Sequence, residues 1–175
     1  CLGLVQGNHE SAITRHYERD IYQEIVKDVK RIGGFSDDTR LDLGYTGWLI
    51  LRFLRGDESV KHLPSSTIKI NLHHGFTGGR LAGGKALSMQ RWMWTHDADI
   101  VLFGHSHNTA TMMEAVEEVT GGASPTVRHV HRYGAYCGSF LRNYTMGAET
   151  YSEVKGYFPQ PVCGVEIQLR PHAEN

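Results

Sequence analysis

The sequence has no apolar run that approaches the roughly 18 to 20 residues needed by a membrane-spanning helix. Its 18 basic and 19 acidic side chains nearly cancel, so composition indicates no broad basic surface for a nucleic acid. It contains three cysteines, Cys1, Cys137 and Cys163, an odd and widely spaced set without a secretory leader. Such a set is typical of reduced thiols rather than of a disulfide framework. We therefore expect a soluble, cytoplasmic protein without a membrane partner.

The 175 residues, 40% of them apolar, are the size of one globular domain, which we assign to residues 1–175. Three times an apolar strand ends in a polar turn, and after the first two of these turns a helix follows, which is typical of an α/β fold. The amphipathic pattern predicts helices over residues 11–32, closed by Gly33 and Gly34, and over residues 85–95. Strand-like segments cover residues 2–5, 41–54 (paired strands or one bulged strand), 67–75, 97–108 (breaking at Gly104), 109–119, 126–140 and 161–171.

Imidazole and amide side chains follow three of these strands at the point where each strand ends. They occur in "GNHE" at positions 7–10, "HHG" at 73–75 and "GHSH" at 104–107. Because the carboxyl ends of neighbouring parallel strands lie on one rim of a sheet, we expect the three clusters to converge. Imidazole nitrogens are common ligands of transition-metal ions. The sequence therefore predicts a metal site on this rim.

In this order, the three motifs resemble the third, fourth and fifth motifs of the calcineurin-like metallophosphoesterases. The context "DADIVLFGHSHN", the Gly-rich loop after "HHG" and the run "CGSFLRNY" are similar to the small bacterial and phage members. The resemblance implies a four-layer α/β/β/α sandwich that hydrolyses a phosphomonoester or phosphodiester, with nucleotides or nucleic acid as the leading substrates. It also implies two divalent metal ions (Mn, Zn, Fe or Ni), which clamp the phosphoryl oxygens and make hydroxide available near neutral pH.

The resemblance further implies a set of metal ligands. Asn8, His105 and one histidine of "HHG" would hold one ion, and His107 would hold its neighbour. Alignment on the glycine of "HHG" favours His74, whereas alignment on family members that read His-x-Pro favours His73. We take His74 as the ligand.

Three more residues are assigned to the substrate. By the same resemblance, His9 faces the scissile phosphate and either stabilises its charge or protonates the leaving oxygen, with Glu10 as its orienting partner. Arg80, in the Gly-rich loop, is a candidate to meet a phosphate of the substrate.

The family's first two motifs, Asp-x-His and Gly-Asp-x-x-Asp/Asn, should precede "GNHE", and the six residues before Gly7 cannot hold them. The sequence also opens on Cys1 rather than on methionine. We therefore expect the C-terminal portion of a metallophosphoesterase, without the N-terminal strands and the bridging aspartate. Neutral ligands alone hold a divalent ion less well than a set with that carboxylate, so weak binding or a single ion is expected. Uncovered apolar surface predicts self-association or a need for the missing segment.

Two other functions stay open. The missing aspartates favour a non-catalytic remnant, a regulatory or scaffold protein that keeps the fold. Residues 79–85 have the spacing G-x-x-x-x-G-K of a phosphate-binding loop between a strand and a helix, which permits a nucleotide-binding protein. Against the latter, Ala86 stands where the magnesium-ligating Ser or Thr belongs, and "DIVLFG" ends without a second metal-binding acid.

Overall fold

A five-stranded mixed β-sheet is the centre of the computed structural model, which describes residues 1–56, 65–76 and 81–171. The strands are β1 (Thr46–Leu54), β2 (Ser65–His73), β3 (Ile100–Phe103), β4 (Thr109–Val119) and β5 (Val127–Cys137). The helices are α1 (Asn8–Tyr17), α2 (Ile21–Gly33), α3 (Ala82–Thr95) and α4 (Tyr151–Lys155). The chain is therefore of mixed α/β class. Within the described residues, none of the helices combines the length and the apolarity needed to cross a membrane.

The strand order β1-β2-β3-β5-β4 puts three parallel strands in the middle of the sheet. Strands β1 and β4 form the two edges and run antiparallel to their neighbours. The register sets His73 of β2 beside Phe103 of β3, and Phe103 beside Tyr136 of β5. The three parallel strands therefore end at the same edge, and the histidine motifs occupy the loops that follow β2 and β3.

Helix α3 packs on one face of the sheet and forms the main core with it. Met89 and Met93 of the helix are at most 1% exposed and pack with Phe103 and Tyr136 of the sheet. The hydroxyl of Tyr136 also donates a hydrogen bond to the backbone carbonyl of Lys85 (3.0 Å). Together these contacts hold the beginning of α3 beside the loops that carry the histidines.

The opposite face of the sheet is apolar as well, with Ile70, Ile100 and Ala135 buried on it and its other side chains partly exposed. The register places side chains of β1, β2 and β3 on it, and five of them are half-buried: Leu49, Leu51, Ile68, Leu72 and Leu102. Among the described elements, no helix packs against this face. The described sheet and α3 therefore form two layers.

The helix predicted over residues 11–32 is in fact two helices. Glu18 has a left-handed backbone (φ +54°) that ends α1, and the Asp20 side chain caps α2 by accepting a hydrogen bond from a backbone N–H three residues later (3.0 Å). The apolar period runs on through this break, so periodicity alone could not reveal it. The predicted closure is confirmed, because α2 ends at Gly33 and Gly34 is left-handed (φ +65°).

Three strand predictions need correction. Residues 2–5 and 161–171 contain no regular strand; each makes one isolated bridge, Leu4 to Asp42 and Val162 to Ser139. Within residues 41–54 there is one strand, β1, and it begins only at Thr46. An alternating apolar pattern shows that a segment can pair, but it does not provide a partner strand along the whole segment.

The α3 core predicts a contrast between two methionines of similar chemistry. Met93→Ala should lower the free energy of unfolding by about 2–5 kcal/mol, because it leaves a cavity at a fully buried position. Met113→Ala, at a β4 residue that is 60% exposed, should change it by less than about 0.5 kcal/mol. Urea unfolding followed by circular dichroism measures both, and equal losses would contradict the packing of α3 on the sheet.

Candidate metal centre

A cavity of about 340 Å³ lies at the edge where the three parallel strands end. The start of α1, the start of α3, the loops after the strands and the segment 138–160 line it. Five residues predicted to be functional are among the lining residues: Asn8, His9, His74, His105 and His107. Arg80, which was assigned to the substrate, lies outside the described residues. The three sequence-distant motifs therefore meet at one cavity.

Two polar side-chain atoms, from Asn8 and His105, contact Nε2 of His74 in this cavity. Nε2 of His74 lies 2.9 Å from Oδ1 of Asn8 and 3.1 Å from Nδ1 of His105, and the backbone N of Asn8 lies 3.3 Å from the same ring nitrogen. One ring nitrogen carries either a proton or a lone pair, so it can satisfy one of these contacts but not all three. Two atoms bonded to one ion at about 2.1 Å each lie about 3 Å apart. The 2.9 and 3.1 Å distances from Nε2 of His74 therefore fit ligands of one shared cation.

Gly7, which directly precedes α1, has no side chain and so leaves room for the Glu10 carboxylate and the His74 ring. A Cβ at this position would lie 2.4 Å from Oε2 of Glu10 and 3.2 Å from Cε1 of His74, so the Glu10 carboxylate occupies the space above Gly7, near His74. Burial and then the charge of His105 lower the pKa of His74, and the charge of Glu10 opposes them. The structure sets the Glu10 carboxylate near His74, and its role in orienting His9 stays a prediction.

The loops after β2 and β3 approach each other closely at Gly75. This residue has φ +103°, and a Cβ would lie 2.7 Å from the carbonyl oxygen of Gly104 and 2.8 Å from Cβ of His105. His105 (φ +63°) and His107 (φ +56°) are themselves left-handed, a conformation that costs a non-glycine residue about 1–2 kcal/mol. Backbone strain of this kind is concentrated at functional sites.

The two adjacent histidines at the end of β2 have different surroundings. Nδ1 of His73 accepts a hydrogen bond from the backbone N–H of Gly75 (2.7 Å), and its ring packs against Trp92 and Phe103 with centroids 4.6 and 5.9 Å away. Burial, with a smaller effect of His96, lowers the pKa of His73. Consecutive residues of a strand point to opposite sides, and it is His74 that enters the cavity.

The cavity lining is basic and contains no aspartate or glutamate among its described residues. Lys85 is only 8% exposed, and its ammonium group donates a hydrogen bond to Oδ1 of Asn108. Burial, followed by the charges of His105, His9 and Lys85, lowers the pKa of His107. These effects favour the neutral imidazole, which is the form that ligates a metal. His107 reaches the cavity without a hydrogen bond to the three converging atoms.

Sequence reasoning missed several lining residues. The Oγ of Ser106 is buried and has no hydrogen-bond partner among the described residues, a state that costs about 1–3 kcal/mol unless a bound ion or water satisfies it. Asn143 and Ser152, both at most 4% exposed, bond to each other through Oδ1 and Oγ (2.9 Å) and anchor the wall that leads to α4. The signal for Asn143 was its place in "CGSFLRNY".

The donor set fits one divalent transition-metal ion. Within the described ranges, no three His, Cys, Asp or Glu side chains are grouped as a metal site, and the present cluster differs in that its third donor is the Asn8 amide oxygen. Imidazole nitrogens suit Zn, Fe and Ni, and carbonyl oxygens suit Mn. The orphan hydroxyl of Ser106 and the unsatisfiable contacts of His74 both agree with a group bound between the loops.

No protein-family model, curated protein or solved structure matches this chain. The chemistry of the site is therefore argued from the cavity alone. It combines three neutral donors that fit a cation with a buried ammonium group and an exposed imidazole, that of His9. Such a combination can bind an anionic ligand and transfer a proton to it.

The close contact of the two loops predicts that a side chain at Gly75 destabilises the protein. Gly75→Ala should lower the free energy of unfolding by at least about 1–3 kcal/mol, because it combines a positive φ with a clash against backbone. Gly83→Ala is the matched control, since a Cβ there meets nothing within 4 Å and alanine is favoured in a helix. Chemical denaturation measures both variants. A Gly75→Ala protein as stable as the Gly83→Ala protein would contradict the described loop geometry.

Proposed function

We propose that this chain is a metal-dependent hydrolase of phosphate esters, of the calcineurin-like metallophosphoesterase type. The observation that carries the proposal is that Asn8 Oδ1 and His105 Nδ1 lie 2.9 and 3.1 Å from Nε2 of His74 at the carboxyl edge of the sheet. These atoms come from the three motifs that resemble the family, in the family's order. A non-catalytic protein that keeps the same site is the alternative, and the experiments below distinguish the two.

The fold of the proposal is the four-layer α/β/β/α sandwich. The described sheet, with α3 on one face, corresponds to one helix layer and one sheet layer of such a sandwich. The apolar, half-buried opposite face suits a second sheet, because two sheets pack through their apolar faces at about 10 Å. In this proposal the second half of the sandwich comes from strands that are not among the described elements.

Asn8, His74 and His105 would hold one ion in this proposal. A divalent ion bound there supplies Lewis-acid chemistry toward a phosphoryl oxygen. All three donors are neutral, and the cavity has no carboxylate among its described lining residues, so affinity should be modest and limited to one ion per chain. His107 lies near the positive charge of Lys85, which disfavours a second cation beside it.

His9 is the proposed proton donor. Its side chain lines the cavity and is exposed, so it can reach a ligand and exchange protons with solvent. Glu10 would act on the site through His74. Its carboxylate lies near that ring, and its negative charge stabilises a positive charge there. Proton transfer by a positioned imidazole contributes about 10²- to 10⁴-fold to a rate.

The proposed substrates are phosphomonoesters or phosphodiesters with a planar group, nucleotides and nucleic acid foremost. Tyr151 and Phe158 belong to the wall formed by the segment 138–160. Both line the cavity and are 48% and 61% exposed. Exposed aromatic rings are platforms for stacking a base, worth about 1–3 kcal/mol per base. Gln160, on the same wall, offers an amide group for hydrogen bonds.

Metal binding should separate the two adjacent histidines. His74→Gln should weaken Mn²⁺ binding by more than about tenfold, because it removes one of three donors. His73→Gln should leave the affinity within about threefold of the parent chain, since the His73 ring lies among aromatic side chains and does not line the cavity. Isothermal titration calorimetry with Mn²⁺ measures both. Loss of binding in His73→Gln alone would overturn the assignment.

Catalysis should depend on His9 but not on its neighbour on the same helix. With Mn²⁺ present, His9→Gln should lower the rate of hydrolysis of bis(p-nitrophenyl) phosphate or p-nitrophenyl phosphate by about 10²- to 10⁴-fold and leave Mn²⁺ affinity unchanged. His16→Gln, at an exposed residue of α1 outside the cavity, is the control and should retain the rate. A chain that binds Mn²⁺ and hydrolyses neither ester, nor a nucleotide, would support the non-catalytic alternative.

A further inference from the structure

Lys85 is a buried cation in the wall of the cavity. It is the fourth residue of α3 and is 8% exposed, and its ammonium group reaches the cavity, where it donates a hydrogen bond to Asn108. An ammonium group has three donors, and the described residues account for one of them. Neither the metal ligands nor the proposed proton donor explains why a lysine is buried at this position.

The charge of Lys85 has no compensation within the described part of the chain. No aspartate or glutamate forms an ion pair with it or lines the cavity, and its immediate neighbourhood includes His107. The first turn of α3 contains no acidic residue, and the helix dipole adds a further positive potential at this end. Burying an uncompensated ammonium group is strongly unfavourable. A bound anion would compensate the charge of Lys85 and the positive potential of the helix end.

We propose that Lys85 is the anion-binding residue of this cavity and that it binds an oxygen of a phosphoryl group directly, without a metal ion. Asn108 holds the ammonium group in place, and the two remaining N–H groups donate to the anion. The inference deepens the proposed phosphoester hydrolysis and takes the identity of the anion from it. It also places the phosphoryl group on the side of the cavity next to His107.

The test measures phosphate binding by metal-free protein. The chain is stripped of metal with a chelator, and its melting temperature is followed against inorganic phosphate, with chloride at equal ionic strength as the reference. The variants are Lys85→Met, Lys85→Gln, Lys85→Arg and, as a matched control on an exposed face of α2, Lys27→Met. Phosphorus NMR line broadening provides a second measure of phosphate binding that does not depend on stability.

Phosphate, but not chloride, should raise the melting temperature of the parent chain, as a ligand that binds only the folded state does. Lys85→Met and Lys85→Gln should bind phosphate at least about tenfold more weakly, since a hydrogen bond to a charged group is lost. Lys85→Arg and Lys27→Met should keep the response. Without phosphate, Lys85→Met should be at least as stable as the parent, because an uncompensated buried charge is removed.

Either of two binding results would overturn the inference: a parent chain that does not bind phosphate without metal, or neutral Lys85 variants that bind it as tightly as the parent. If the neutral variants unfold while Lys85→Arg folds, the charge serves the fold rather than a ligand, and the inference also fails. Hydrolysis and Mn²⁺ binding are measured separately, so inactivity toward esters together with Lys85-dependent phosphate binding would refute the proposed function alone.

Discussion

The loops that follow β2 and β3 lie side by side at the edge of the sheet, and the whole candidate site depends on this close contact. It is possible because Gly75 has no side chain: any Cβ would meet the carbonyl oxygen of Gly104. The contact brings His74 and His105 within 3.1 Å of each other. The positive φ angles of His105 and His107 are the strain that accompanies it. The start of α1 then adds Asn8 to the pair.

The electrostatics of the cavity follow from what the three loops contribute. They supply imidazoles and amides, and α3 supplies one buried ammonium group, while the described lining offers no carboxylate. Burial lowers the pKa of His74, His107 and Lys85, because a charged group loses hydration there. We propose a cation among the neutral donors on one side of the cavity and an anion beside Lys85 on the other. A phosphate ester with a bound metal ion would supply both.

The sequence predicted the features that depend on local pattern. The parallel strands β2 and β3 were visible as apolar runs ending in histidines, and the shared rim follows from parallel topology. The break between α1 and α2 was not visible, because Glu18 and Asp20 interrupt the backbone without interrupting the apolar period. Lys85 could not be assigned to the cavity either, since its burial depends on the packing of α3 against β5. The choice between His73 and His74 needed the direction of each side chain at the end of β2.

The central claim is that Asn8, His74 and His105 share one divalent ion. Crystals of the chain soaked in Mn²⁺, with diffraction data collected at the manganese absorption edge, test it most directly. The account predicts a single strong anomalous peak at about 2.1 Å from Oδ1 of Asn8, Nε2 of His74 and Nδ1 of His105. A peak bound to His73, or an ion held elsewhere with Asn8 and His105 still in contact with Nε2 of His74, would contradict it.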